Sequence, residues 1–190
     1  MDALVDYYAD RSSLLDVSAA LTRLGFALAQ EGLYAYRFRD GRGRTVDVMV
    51  ADHLPSRMQP RLARRPAFQA PSGEQAIRRR DIYHLSFASG AVAPIGVPDE
   101  FGALVAKGAA YQVDRRDRGS HLDDAAVLLA CVSDVSALDF ASMSKNDRRR
   151  IAVIVRQLAD DTHRSWSNLD ALDRDRGSFN LALIRRALGL

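Results

Sequence analysis

The seven residues Thr45-Val46-Asp47-Val48-Met49-Val50-Ala51 can hardly be anything but a β-strand. Side chains of a strand alternate between its two faces, so Val46, Val48 and Val50 share one face and Asp47 and Met49 the other. Three β-branched valines suit a pleated, buried surface. Asp47 does not: a carboxylate inside a strand is disfavoured, and burying it is costly unless it is paired or holds a cation. Three readings follow for Asp47. The second face of the sheet is wet, or Arg37 or Arg39 on a neighbouring strand pairs with it, or it is a functional carboxylate.

Around this strand the chain reads as alternating short elements. Residues 2–8 are β-like through Leu4, Val5, Tyr7 and Tyr8. Ser12 or Ser13 can cap a helix that runs to Leu24, with Leu14, Val17, Leu21 and Leu24 on one face, and Gly25 stops it. Phe26–Gln30 and Leu33–Arg39 are expected strands around Glu31-Gly32, with Tyr34, Tyr36 and Phe38 alternating on one face. Proline and arginine break the pattern from Pro55 to Pro71, and Ser72-Gly73-Glu74-Gln75 resembles a capping box opening a short helix. Asp81–Ala88 and Ala91–Val97 read as strands. Helices are expected over about 99–114, 120–132, 144–160 and 179–188, with Asp173-Arg174-Asp175 in a solvated loop before the last. Strands first and helices second predict an α/β (α+β) fold: a small mixed sheet followed by a C-terminal helical half. The expected division is 1–97 for the sheet region and 98–190 for the helical region, which can still form one domain.

A chain of 190 residues with 47% hydrophobic content can build its own core without disulfides or metal. Cys131 is the only cysteine, so no intrachain disulfide forms, and no Cys/His cluster has zinc-ligand spacing. The N-terminus lacks the features of a signal peptide. No apolar stretch approaches the roughly 18 residues of a membrane helix. A cytoplasmic location, away from membranes, is the expectation. Net charge is only +3, but arginine is clustered. Arg57, Arg61, Arg64, Arg65, Arg78, Arg79 and Arg80 fall within residues 52–80, and Arg115, Arg116 and Arg118 and then Arg148, Arg149 and Arg150 follow. Such clusters suit phosphate-bearing partners, or they are solvated surface.

A second set of candidates lies in the helical half. Lys107 is the only charge between Glu100 and Asp114, and Gly108, Ala109 and Ala110 leave it room to approach a phosphate. Alternatively, it snorkels to solvent. Ser120-His121-Leu122-Asp123-Asp124 reads as a helix start, where both aspartates favour the helix dipole and Ser120 with Asp123 resembles a capping box. His121 is read as an exposed helix-start residue or a pocket residue.

The Val-Asp-Val strand, its Ala51-Asp52-His53-Leu54-Pro55 exit, the lysine-bearing helix and the His121-Leu122-Asp123-Asp124 helix start together resemble the nucleotidyltransferase-like toxins of the AbiEii and MenT type. The likeness covers most of residues 1–135. It implies the polymerase β-like nucleotidyltransferase fold and transfer of a nucleotide from an NTP to RNA, at the tRNA acceptor end, with Mg²⁺ as cofactor. It also implies a cognate antitoxin protein. By position, the resemblance makes Asp47 the third metal-binding carboxylate and Asp2 the second aspartate of an Asp-x-Asp pair. It makes Lys107 and Asp123 or Asp124 nucleotide-holding residues, with Lys107 and Asp124 beside the chemistry; Arg57, from the basic segment 52–80, is a further candidate for binding the nucleotide.

One element of the family pattern is missing. No glycine-rich turn precedes an Asp-x-Asp strand, and the first aspartate would fall before Met1. Either the missing segment lies upstream of Met1, or the chain is a degenerate form. Two functions are therefore expected in competition: an NTP-dependent RNA nucleotidyltransferase of a toxin–antitoxin system, and a catalytically inactive remnant that binds nucleotide, RNA or a partner protein. The strand lost from the sheet would leave an open edge, which a homodimer or a partner could cover.

Overall fold

The computed structural model describes residues 1–190. It is a mixed α/β protein, with an N-terminal mixed sheet followed by a C-terminal half of packed helices. The chain divides into two compact units, residues 1–77 and 78–190. The expected boundary at 97/98 falls after a β-hairpin that groups with the helices.

In the first unit the order is β1 (Asp2–Val5), α1 (Ser13–Arg23), β2 (Phe26–Leu28), β3 (Arg37–Asp40) and β4 (Thr45–Ala51). Then come β5 (Arg61–Leu62), β6 (Arg65–Pro66), β7 (Gln69–Ala70) and α2 (Gly73–Arg78). The sheet runs β1-β4-β3-β2, with β7 also on β4. Strand β1 is parallel to β4, and β3 and β2 are antiparallel. As the valine alternation requires, Val46, Val48 and Val50 are buried on one face, packed with Phe38, Val5 and Leu14 of α1.

Two local expectations give way to tertiary structure here. Ala35 and Phe38, three residues apart, both face the core, so pairing starts anew at Arg37 and the Tyr34, Tyr36, Phe38 alternation is lost. Tyr34 and Tyr36 instead put their rings against Phe68, at 5.6 and 5.4 Å between centroids. Helix α2 is not capped by a local box. Asp52, at the exit of β4, accepts hydrogen bonds from the backbone N–H of Ser72 (2.7 Å) and of Glu74 (3.1 Å). A carboxylate from another part of the chain satisfies the open amides of the helix start.

The second unit opens with β8 (Arg80–Ser86) and β9 (Val92–Pro98), an antiparallel hairpin. Tyr83, Leu85, Phe87, Ile95 and Val97 lie on one of its faces and are all exposed. Helices α3 (Glu100–Val113), α4 (Arg118–Cys131), α5 (Lys145–Gln157) and α6 (Ala171–Leu188) follow. Their shared core holds Leu104 and Val105 of α3, Leu129 of α4, Ile151 and Ile154 of α5, and Ile184 of α6. Trp166 is buried among them and donates its indole N–H to the Leu158 carbonyl at 3.2 Å. Asn180 donates to the carbonyls of Leu129 (2.9 Å) and Val132 (2.8 Å), closing the C-terminal end of α4.

Helix α6 starts well before the expected 179. Asp170 caps it by accepting from the Asp173 N–H at 2.9 Å, so Asp173-Arg174-Asp175 lies in helix rather than loop. No helix is long and apolar enough to cross a membrane.

Candidate functional site

The candidate residues fall into two groups, one in each compact unit. In the first unit, β1 and β4 run parallel with Asp2 opposite Asp47, and β3 runs antiparallel with Arg37 opposite Asp47. The backbone register therefore sets Asp2, Asp47 and Arg37 in one row across three strands. Residues opposite each other in neighbouring strands put their side chains on the same face. That face is the one away from the valine core.

Arg37 grips Asp47. Its Nε donates to Oδ1 at 2.8 Å and its Nη2 to Oδ2 at 2.6 Å. The planar guanidinium matches the carboxylate with two parallel charge-assisted bonds, the strongest form of this pairing. Asp47 itself is buried, whereas the Arg37 side chain keeps 39% of its surface exposed. The Asp47 hydrogen bond holds the Arg37 pKa above its ordinary value; desolvation opposes this, and the charges of Asp47, Tyr36 and Asp2 reinforce it. Of the sequence alternatives for Asp47, pairing with Arg37 is the one the geometry realises.

The same geometry bears on Mg²⁺. A magnesium site is built from one or two carboxylates, several waters and substrate phosphates. Both oxygens of Asp47 are already engaged by a cation, which opposes a second cation at the same carboxylate. Asp2 and Asp47 in this arrangement do not fit a resident Mg²⁺ site.

In the second unit, Lys107 of α3 and Asp124 of α4 do come together, with Nζ 2.5 Å from Oδ2. The side chains are 33% and 52% exposed. The small residue beside Lys107 has a different purpose from the one its sequence context suggests. A Cβ on Gly108 would lie 2.3 Å from the Arg150 carbonyl oxygen, so glycine is needed where the α5 backbone crosses α3.

Asp123 and Asp124 are not in the first turn of α4. That helix begins at Arg118, and its cap is Asp117, which accepts from the Ser120 N–H at 3.3 Å. Asp123 accepts from the hydroxyl of the fully buried Ser165 at 2.6 Å and lies 3.9 Å from Arg164. It thereby ties α4 to the turn at Arg164–Asn168. His121 is partly buried rather than exposed, with Nε2 3.1 Å from Asp114 Oδ2 and its buried Nδ1 unpartnered. Asp114 has a lowered pKa, chiefly from the backbone amides of Arg116 and Asp117. Desolvation opposes that shift, and His121 adds to it.

The arginine clusters separate into structural and free members. Arg65 donates to the carbonyls of Ala29, Glu31, Gly32 and Tyr34, stitching the β2–β3 connection. Arg79 stacks over Phe101 at 4.9 Å and donates to Ser142. Arg118 covers the Tyr111 ring and donates to the Asp114 carbonyl. Arg148 donates to the Leu188 carbonyl at the end of α6, and Arg150 lies 3.5 Å from Asp147. Arg57 is exposed and engaged by nothing.

Two clefts of the second unit measure about 180 and 130 Å³, below the range of roughly 300–1,000 Å³ that suits a small-molecule ligand. Neither is lined by Lys107, Asp123 or Asp124.

No protein family matches the chain, and no curated protein or solved structure is significantly similar to it.

Proposed function

We propose that the chain is a nucleotidyltransferase-like protein that binds RNA or nucleotide without catalysing transfer. One observation carries this reading. The carboxylate that would hold metal, Asp47, is instead neutralised by the two-pronged Arg37 pair. A pre-paired carboxylate is a structural group. What remains for function is positive surface, which suits a polyanion.

A second reading, the active RNA nucleotidyltransferase of a toxin–antitoxin system, is favoured by the adjacency of Asp2 and Asp47 and by the meeting of Lys107 with Asp124. It requires Arg37 to leave Asp47. Assembly with an antitoxin or as a homodimer belongs to both readings. The edge position of β1 and the exposed apolar face of the β8–β9 hairpin support it.

Transfer of label from each α-labelled NTP onto total tRNA with Mg²⁺ separates the two readings, run beside filter binding of the same tRNA. Retained tRNA with no incorporated label is expected. Incorporation that disappears in Asp47→Ala would establish the transferase instead.

A further inference from the structure

All four non-glycine residues with positive φ lie in one stretch of the first unit: His53 (63°), Ala63 (48°), Arg64 (67°) and Ser72 (66°). Two of them are consecutive. Ala63 and Arg64 form the two-residue turn between β5 and β6, which pair through Leu62 and Arg65. Both central residues at positive φ make it a turn of the type that normally takes Asn-Gly. An alanine and an arginine there are strained, and side chains held in such conformations concentrate at functional sites.

The strain has a visible product. Arg64 stands exposed at the tip of the turn, and Arg61, also exposed, folds back to donate from Nε to the Arg64 carbonyl at 3.1 Å. Arg57 lies four residues before Arg61 in the turn Ser56–Met58. Arg11 reaches the same turn, with Nη2 3.9 Å from Met58 Sδ. None of these four guanidiniums is paired with a carboxylate. The nearby acids are committed elsewhere: Asp52 caps α2, and Asp10 accepts from Ser12. Arg65, next in sequence, turns inward to brace the β2–β3 connection, which anchors the base of the hairpin.

We propose that this turn, with Arg57, Arg61 and Arg64 flanked by Arg11, is a docking site for the phosphodiester backbone of a nucleic acid. The inference rests on the binding function proposed above and assigns it a surface. Guanidinium forks suit phosphate oxygens. Unpaired arginines release counterions from the nucleic acid on binding, which makes affinity depend steeply on salt. Nothing at the turn reads bases, so RNA and DNA single strands share the chemistry.

The test is fluorescence anisotropy with a 20-nucleotide poly-U RNA and a matching poly-dT DNA, titrated across salt concentrations. The proteins compared are the full chain, R57Q/R61Q/R64Q, the lysine counterpart R57K/R61K/R64K, and R156Q/R174Q/R186Q. The last set removes the same charge from exposed, unpaired helix positions. Single strands lose about 0.7 in the log–log salt slope per phosphate contact removed. The turn glutamine variant should therefore lower the slope by about 2 and weaken low-salt binding at least tenfold. The lysine variant should keep most of the slope, and the helix variant should match the unaltered chain. Equal losses in the two glutamine variants, or no loss in the turn variant, overturn the proposal while leaving binding intact. An unaltered chain that binds neither oligonucleotide overturns the binding function itself. Binding of the RNA but not the DNA would overturn a site that recognises the phosphodiester backbone alone.

Discussion

Arg37 and Asp47 face each other across the antiparallel strands β3 and β4, and Arg37 donates two hydrogen bonds to the carboxylate, of 2.8 and 2.6 Å. Removing Asp47 strands the guanidinium, and removing Arg37 leaves a buried carboxylate without its cation. Asp47→Ala should cost about 1–3 kcal/mol, the range for losing a charged hydrogen-bond partner. The double variant with Arg37→Ala should cost less than the sum of the single changes, because the two share one interaction. Arg37→Lys should recover only part, since an ammonium cannot form the fork. Urea unfolding of the unaltered chain, both single alanine variants, the double variant and Arg37→Lys measures all of this.

The same pair should oppose cation binding at Asp47. Arg37→Ala frees both oxygens of Asp47 beside Asp2, and Mn²⁺ followed by electron paramagnetic resonance should then bind more tightly than to the unaltered chain. Equal affinity in both proteins would show that the guanidinium does not compete with cations there.

Gly108 lies where the α5 backbone crosses α3. Gly108→Ala must force α3 and α5 apart, since its Cβ would meet the Arg150 carbonyl oxygen at 2.3 Å. A loss of about 1–3 kcal/mol is expected from overpacking, opposite to the gain alanine usually brings inside a helix. Thermal unfolding of the variant reports the sign directly.

Lys107 and Asp124 are partly exposed, so their pair should contribute about 0–1 kcal/mol. Lys107→Met should therefore leave unfolding midpoints nearly unchanged. If it also leaves tRNA retention unchanged, the pair is surface structure. A drop in retention at unchanged stability would assign Lys107 to phosphate binding.

The Asp114 carboxyl should titrate below the usual aspartate value in carboxyl-detected NMR, because backbone amides favour its charged form. The sign follows from linkage: a pKa lower in the folded state than in the unfolded one makes the group stabilising above its unfolded value of about 3.9. That contribution fades as pH falls through the lower folded value. Asp114→Asn should therefore flatten the acid side of the stability profile, lowering stability near neutrality and leaving it least changed at the lowest pH.

The sequence by itself determined the elements whose signal is local. The alternation of Val46, Val48 and Val50 specifies both the strand and its buried face, because strand side chains repeat every two residues. The four helices after Pro98 were legible in number and approximate place, although α4 is capped by Asp117 and α6 begins at Ala171 rather than 179. Tertiary structure decided what depends on register and on distant partners. The partner of Asp47 could be named as Arg37 or Arg39, but only the pairing of β3 with β4 selects Arg37. Asp52 reaches the α2 start from the exit of β4, so no window of sequence around the helix contains its cap. Gly108 reads as space for Lys107 until the α5 backbone is seen against it. The free arginines are likewise invisible in a list of arginines: Arg61 and Arg64 are separated from Arg65 by what each guanidinium meets, and that is a property of the folded chain.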